Sequence, residues 1–138
     1  MNATFLETVM HDVAVWTLPG NDPRVVGIAR DHVAGHLAGH PAQDGARRVV
    51  SELVTNAHIH SRSGREGGLI GVGVAIRRNG DVSVIVSDDG PAEPHEGERV
   101  DYGRGLFICA YFGHIVIEEE PDGCQVFTVT IGAQEEDK

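Results

Sequence analysis

Lysine is almost missing from this chain. Of the 11 basic residues among 138, ten are arginine, and the one lysine, Lys138, is the last residue. A P-loop nucleotide site needs a lysine behind its glycines, a eukaryotic-type protein kinase needs one on a strand, and Schiff-base chemistry needs one as nucleophile. All three classes are excluded. Positive charge is scarce as a whole, with 11 Lys+Arg against 21 Asp+Glu and a formal net charge of −10. A nucleic-acid binder needs a basic stripe to displace phosphate counterions, so general binding of that kind is excluded too. Cysteine is limited to Cys109 and Cys124; their spacing fits no metal site, and nothing points to an oxidising compartment. No apolar run approaches the roughly 20 residues of a membrane span, and the first residues lack a basic-then-apolar leader pattern. The expectation is a cytoplasmic protein with neither membrane nor nucleic acid as partner. Any nucleotide must then be held by backbone amides, arginine and a metal ion.

What is present is an ordinary globular composition, 41% hydrophobic and 23% charged. A chain of this length typically forms one domain and buries roughly 68–70% of its unfolded surface, so it needs no disulfide or metal staple. Without internal repeats or a linker, residues 1–138 are read as a single domain with a short acidic tail at 133–138. Residues 12–18 alternate as a strand before the Pro19-Gly20 turn. Asp22-Pro23 predicts a helix start, with Val26, Ala29, Val33 and Leu37 at helical spacing, flanked by Val25 and Ile28, until Gly39-His40-Pro41. A second helix from about Ala42 buries Ala46, Val49, Val50, Leu53, Val54 and Ala57. After Gly64–Gly68 the period changes from 3.6 to 2: Ile70, Val72, Val74 and Ile76 alternate, Asn79-Gly80 turns the chain, and Val82, Val84 and Val86 return. Residues 89–103 are polar and rich in Pro, Glu and Gly and read as a long loop. Leu106, Phe107, Ala110 and Tyr111 predict a short third helix ending at Gly113. A hairpin of about 114–119 and 124–131 around Pro121-Asp122-Gly123 closes the chain. The order βααββαββ implies an α+β two-layer sandwich, a mixed, mostly antiparallel sheet with helices on one face.

Four features could carry chemistry. Glu52, Asn56 and His60 fall at i, i+4 and i+8 of the second helix and share one stripe. They could be a base and a metal ligand, although the spacing alone fits the commoner solvated face. Asp88 continues the apolar side of its strand after Val82, Val84 and Val86, where a carboxylate is costly unless it meets a donor. It could cap the turn at Asp89-Gly90-Pro91 or accept from a ligand's amino group, and the pattern leaves both open. Gly103-Arg104-Gly105 opens the third helix, where amides and the helix dipole favour an anion; a flexible junction would read the same way. His32, His36 and His40 are four apart, but Gly39 and Pro41 break the helix and no further ligand completes a site, so they read as surface histidines.

In order, these pieces resemble one family. VSELVTNAHIHS (50–61) is similar to the N box of the GHKL-type ATPases, the superfamily of gyrase, chaperone and histidine-kinase ATPases. VIVSDDGP (84–91) resembles the G1 box and YGRGLFIC (102–109) the G2 box. The SELVTNA wording and the compact GRGLF box look like the stand-alone anti-sigma-factor serine kinases, over roughly residues 12–132. The resemblance implies the histidine-kinase-like ATPase fold with ATP and Mg²⁺ as cofactors. It implies that Asn56 ligates Mg²⁺ with a neutral oxygen suited to a hard ion, and that Glu52 is the general base for an attacking hydroxyl. It further implies that Asp88 accepts from the adenine amino group, that Gly90 lets the base approach, and that Gly103, Arg104, Gly105 and Leu106 cradle the phosphates. His60 matches a histidine often found after the N box, and the loop 89–103 would be a lid over the nucleotide.

Two positions depart from the pattern: Ala92 replaces a second glycine of the G1 box, and Cys124-Gln125 follow Gly123 where Gly-Thr is usual. No phosphoacceptor-helix region stands before the boxes, which argues against a sensor histidine kinase. The expected function is therefore that of a protein serine/threonine kinase of the anti-sigma-factor type, binding a sigma factor and phosphorylating a STAS-type anti-anti-sigma partner, with a homodimer implied by the resemblance. The alternative is a catalytically silent, nucleotide-dependent module that sequesters a regulatory partner.

Overall fold

In the computed structural model, which describes residues 10–92 and 103–133, the change of hydrophobic period at Gly64–Gly68 marks where helices give way to sheet. The chain runs β1 (Met10–Pro19), α1 (Val25–His36), α2 (Gln43–His60), a 3₁₀ turn (Arg62–Gly64), β2 (Leu69–Arg77), β3 (Val82–Asp88), α3 (Gly103–Phe112), β4 (His114–Glu119) and β5 (Gln125–Ile131). The strands form one sheet in the order β1-β2-β3-β5-β4, and all four ladders are antiparallel. Helices pack on one face, which gives the α+β two-layer sandwich.

Strand register explains which face is covered. Val72 lies opposite Val86, and Val86 opposite Phe127; Val74, Val84 and Val129 form the next row. All six are buried beneath the helices. The alternate residues, such as Gly73, Ile85 and Thr128, form the other face. Period-2 alternation therefore decides the layer arrangement, because side chains one apart point to opposite sides of a sheet.

The six apolar positions expected in α2 are all buried. α1 differs in phase and length. Its helix begins at Val25, two residues after Pro23, because Asp22 caps the preceding turn: its carboxylate accepts the Arg24 N–H at 2.9 Å and grips the Arg24 guanidinium at 2.8 Å. Val25, Ala29, Val33 and Leu37 then make a strict i+4 stripe, so Val25 takes the core position and Val26 is half-buried. The helix closes at His36, where the Leu37 N–H bonds back to Ala34 O, before Gly39 turns at φ +80°. α3 starts at Gly103, earlier than the apolar residues indicate.

α2 is the central element, packed against α1, α3 and β3. α3 runs antiparallel along it. Phe112 lies by Gly45, the Cys109 thiol points to the Val49 carbonyl at 3.8 Å, and Gly105 lies against Asn56. No helix among the described residues is long and apolar enough to cross a membrane. Leu53 lies at the middle of α2 and is 2% exposed. Leu53→Ala is expected to lower unfolding free energy by about 2–5 kcal/mol through lost burial and a residual cavity, read from the urea midpoint at unchanged slope.

Candidate functional site

The antiparallel run of α3 along α2 brings the first turn of α3 to Asn56. A Cβ built on Gly105 would lie 3.0 Å from Asn56 Nδ2 and 3.2 Å from Oδ1, so a side chain there would press on the Asn56 amide and force it to shift. Asn56 is buried, and its Nδ2 is one of two buried side-chain nitrogens or oxygens without a hydrogen-bond partner among the described residues; the other is Arg77 Nε. A buried amide without a partner costs about 1–3 kcal/mol. It lies beside the end of a helix whose first N–H groups have no partner within the helix and whose dipole is positive there. Gly103, Arg104, Gly105 and Leu106 form that first turn. Leu106 packs on the core, while the Arg104 side chain lies outside what the structure describes.

Glu52, one turn earlier on α2, is not part of this contact. Its side chain is 25% exposed and accepts from Arg48 Nε at 3.3 Å. His60 is exposed, and its side chain makes no hydrogen bond among the described residues. The stripe expected at i, i+4 and i+8 is therefore present on the helix, but Asn56 is its member packed against Gly105, while Glu52 lies close enough to α3 for its charge to act on the Cys109 thiol.

Asp88 ends β3 on the helix-covered side and is 5% exposed. Its Oδ1 accepts the Gly90 N–H at 2.7 Å, so the turn-cap reading holds. Burial pushes the carboxyl above the usual carboxylate range, only partly offset by the Gly90 N–H; Asp89 raises it further and Arg62 opposes. Gly90 sits at φ +95°, and a Cβ there would collide with the Gly123 carbonyl. That contact brings the last turn, Pro121–Cys124, against the end of β3. Of the predicted lid, Asp89–Ala92 are described; residues 93–102 lie outside the described residues.

Sequence reading missed the strap that joins these parts. The Arg62 N–H donates to Gly90 O at 2.8 Å and the Ala92 N–H to His60 O at 3.1 Å, with Ser61 and Pro91 paired between them. The end of α2 thereby pairs antiparallel with the segment after Asp88. The Arg62 guanidinium binds the Asp89 carbonyl, with Nε at 2.9 Å, and Arg65 Nη2 reaches Ala92 O at 2.6 Å. The buried Ser63 hydroxyl accepts the Asp89 N–H at 2.9 Å and donates to Leu69 O at 2.6 Å. The Ser61-x-Ser63 spacing and the paired Arg62 and Arg65 were the available signal, with Gly64–Gly68 read only as a break.

The remaining candidates separate. His32 stacks on Trp16 at 5.0 Å, His36 pairs with Asp12 at 3.1 Å, and His40 Nε2 meets Gly80 O at 3.0 Å, so the three histidines serve three contacts. No group of three or more His, Cys, Asp or Glu that could hold a metal occurs among the described residues. Cys109 is buried and its thiol is pushed up to about 12, chiefly by burial, which makes it inert at neutral pH.

Asn56, Asp88, Gly90 and the start of α3 thus share one end of the sandwich. Their donor set suits a ligand that carries an amino group at one side and an anion at the other. An oxygen-only metal ligand such as the Asn56 amide fits a hard cation. No family model matches the chain, and no curated protein matches it significantly.

The raised Asp88 carboxyl sets a pH dependence. A folded-state pKa above the unfolded 3.8 means that the folded chain holds its proton longer, so stability falls as pH rises from that value through the folded pKa. In urea unfolding from pH 3.5 to 7, Asp88→Asn should remove that decline, since the amide keeps an acceptor for Gly90 N–H and never ionises. An identical pH slope in both proteins would rule it out.

Proposed function

We propose that this chain is an ATP- and Mg²⁺-dependent protein serine/threonine kinase of the anti-sigma-factor type. It would bind a sigma factor and phosphorylate a STAS-type anti-anti-sigma partner in the cytoplasm. The observation that carries the reading is the buried Asn56 amide against the glycine-bearing first turn of α3, its Nδ2 left without a partner and free to donate to a ligand oxygen. A buried N–H donor without a partner is costly in the protein alone, and a ligand oxygen beside the start of α3 would satisfy it.

When bound, ATP supplies the phosphoryl group, and Mg²⁺ neutralises charge on its phosphates. Asn56 would hold the metal through its side-chain oxygen. The amides of Gly103, Arg104, Gly105 and Leu106 would hold the phosphates at the positive end of α3. Asp88 would accept from the adenine amino group through the oxygen not committed to Gly90, and the absence of a side chain at Gly90 would leave room for the base. Glu52, at the solvent edge of the α2–α3 seam, would orient and deprotonate the acceptor hydroxyl. Catalysis in this arrangement is positioning and charge stabilisation, with no covalent step on the protein.

The silent-module reading draws on one specific observation: the Glu52 carboxylate is already engaged by Arg48. Calorimetric titration with ATP separates the two when combined with transfer assays. Binding should require Mg²⁺ and should weaken at least about 100-fold in Asp88→Asn, the cost of replacing a buried charged acceptor by a mismatched amide. Glu52→Ala should bind ATP as before and lose phosphotransfer by about 100-fold or more, the scale of a general base. Unchanged transfer in Glu52→Ala would remove Glu52 as the base, and no binding at millimolar ATP would remove the nucleotide reading itself.

A further inference from the structure

Beside Glu52, on the outer side of α1 and α2, lies a concavity of about 490 Å³ lined by Arg30, Asp44, Arg47, Arg48, Ser51 and Glu52. Three of the chain's 11 basic residues converge there, against two carboxylates, in a protein of net charge −10. Arg30 has no ion-pair partner among the described residues and leans across α1, its Nη2 3.5 Å from where a Cβ of Gly27 would be. Arg47 reaches Asp44 only at 3.5 Å across an exposed i,i+3 pair, with Asp44 90% exposed, a contact worth little to the fold. Two guanidiniums are thus held at the surface without a structural task that needs them.

We infer that this concavity is the docking groove for an acidic segment of the protein substrate, whose carboxylates flank the acceptor hydroxyl. The inference rests on the kinase reading, because Glu52 borders both the groove and the α2–α3 seam, and a hydroxyl brought to Glu52 must arrive with its flanking residues over Arg30, Arg47 and Arg48. A guanidinium fork matches a carboxylate bidentately, so separate arginines fit separate side-chain carboxylates spaced along a polypeptide. A continuous polyanion fits less well: Asp44 and Glu52 interrupt the positive lining and the rest of the chain repels it. Charge complementarity of this kind sets encounter rate and register, and it weakens with salt.

The test uses the full chain and two fluorescein-labelled peptides, one with a serine flanked on both sides by aspartates and one with asparagines in their place. Anisotropy at low salt should show the aspartate peptide binding about tenfold tighter. Raising the salt should erase the difference, and Arg30→Glu and Arg47→Glu should each remove most of it while circular dichroism is unchanged. Equal binding of the two peptides, or a preference that survives in both variants, overturns the groove. ATP calorimetry on the same wild-type sample keeps the two conclusions apart. ATP binding without an aspartate preference leaves the kinase reading and ends the groove, whereas an aspartate preference without ATP binding ends the kinase reading and leaves an acidic-segment site.

Discussion

A polar side chain buried at the seam between two packed helices needs room from the covering helix. Gly105 provides it for Asn56, and the rest of the candidate site follows from that contact. Because α3 runs antiparallel along α2, with Phe112 at Gly45 and Cys109 at Val49, the glycine-bearing turn falls at the C-terminal end of α2 and nowhere else. The same end of the sandwich carries Asp88. The sheet and helices therefore place two costly buried polar groups toward one end of the sandwich, one an amide with an unpaired nitrogen and the other a carboxyl pushed up by burial. Either alone could be tolerated as local strain. Their presence at the same end, with Asn56 beside the positive end of α3, is what a ligand would make worthwhile.

The strap between residues 60–65 and 88–92 gives this end its rigidity. Two main-chain hydrogen bonds join the exit of α2 to the segment after β3, and Ser63 ties Asp89 to the entry of β2. Asp88 is accordingly fixed from both sides, by the β3–β5 ladder and by the strap. Gly90 must take a left-handed conformation to pass between them, with the Gly123 carbonyl directly against it. A carboxylate held this way would lose little further entropy on meeting a ligand, which is the physical meaning of preorganisation.

The elements that rest on local periodicity could be read from the sequence. The α2 core, the alternation in β2 and β3 and both hairpin turns depend on neighbours one to four residues apart, and these agree with the structure. α1 was legible as a helix but not in phase, because Asp22 closes on Arg24 rather than on the helix and so delays its start. The strap could not be read. Arg62 and Asp89 are 27 positions apart, and nothing in either local pattern announces the other. Of the candidate site, Asp88 was identifiable because it puts a carboxylate on an apolar strand face. Asn56 instead fell on a stripe with Glu52 and His60 whose spacing fits a solvated helix face, and was singled out by the resemblance of 50–61 to the N box. That Asn56 would lack a partner, and that His60 would contribute its backbone rather than its ring, depends on how α3 and the strap pack.

Glu52 holds the most informative position, at the edge of the groove and paired with Arg48. Helix geometry turns its side chain back toward Arg48, one turn earlier, so an i,i+4 ion pair is the default state of the protein alone. With Arg48 54% and Glu52 25% exposed, the pair is partly screened by water and contributes little to stability, and exchanging it costs correspondingly little. A substrate carboxylate that draws Arg48 into the groove would free the Glu52 carboxylate on the same helical turn. Engagement of an acidic flank and release of the base would then be one event rather than two. If Glu52 is the proposed base, the Arg48–Glu52 pair would be no obstacle to catalysis: it would keep that carboxylate occupied until a segment with the right charge displaced it.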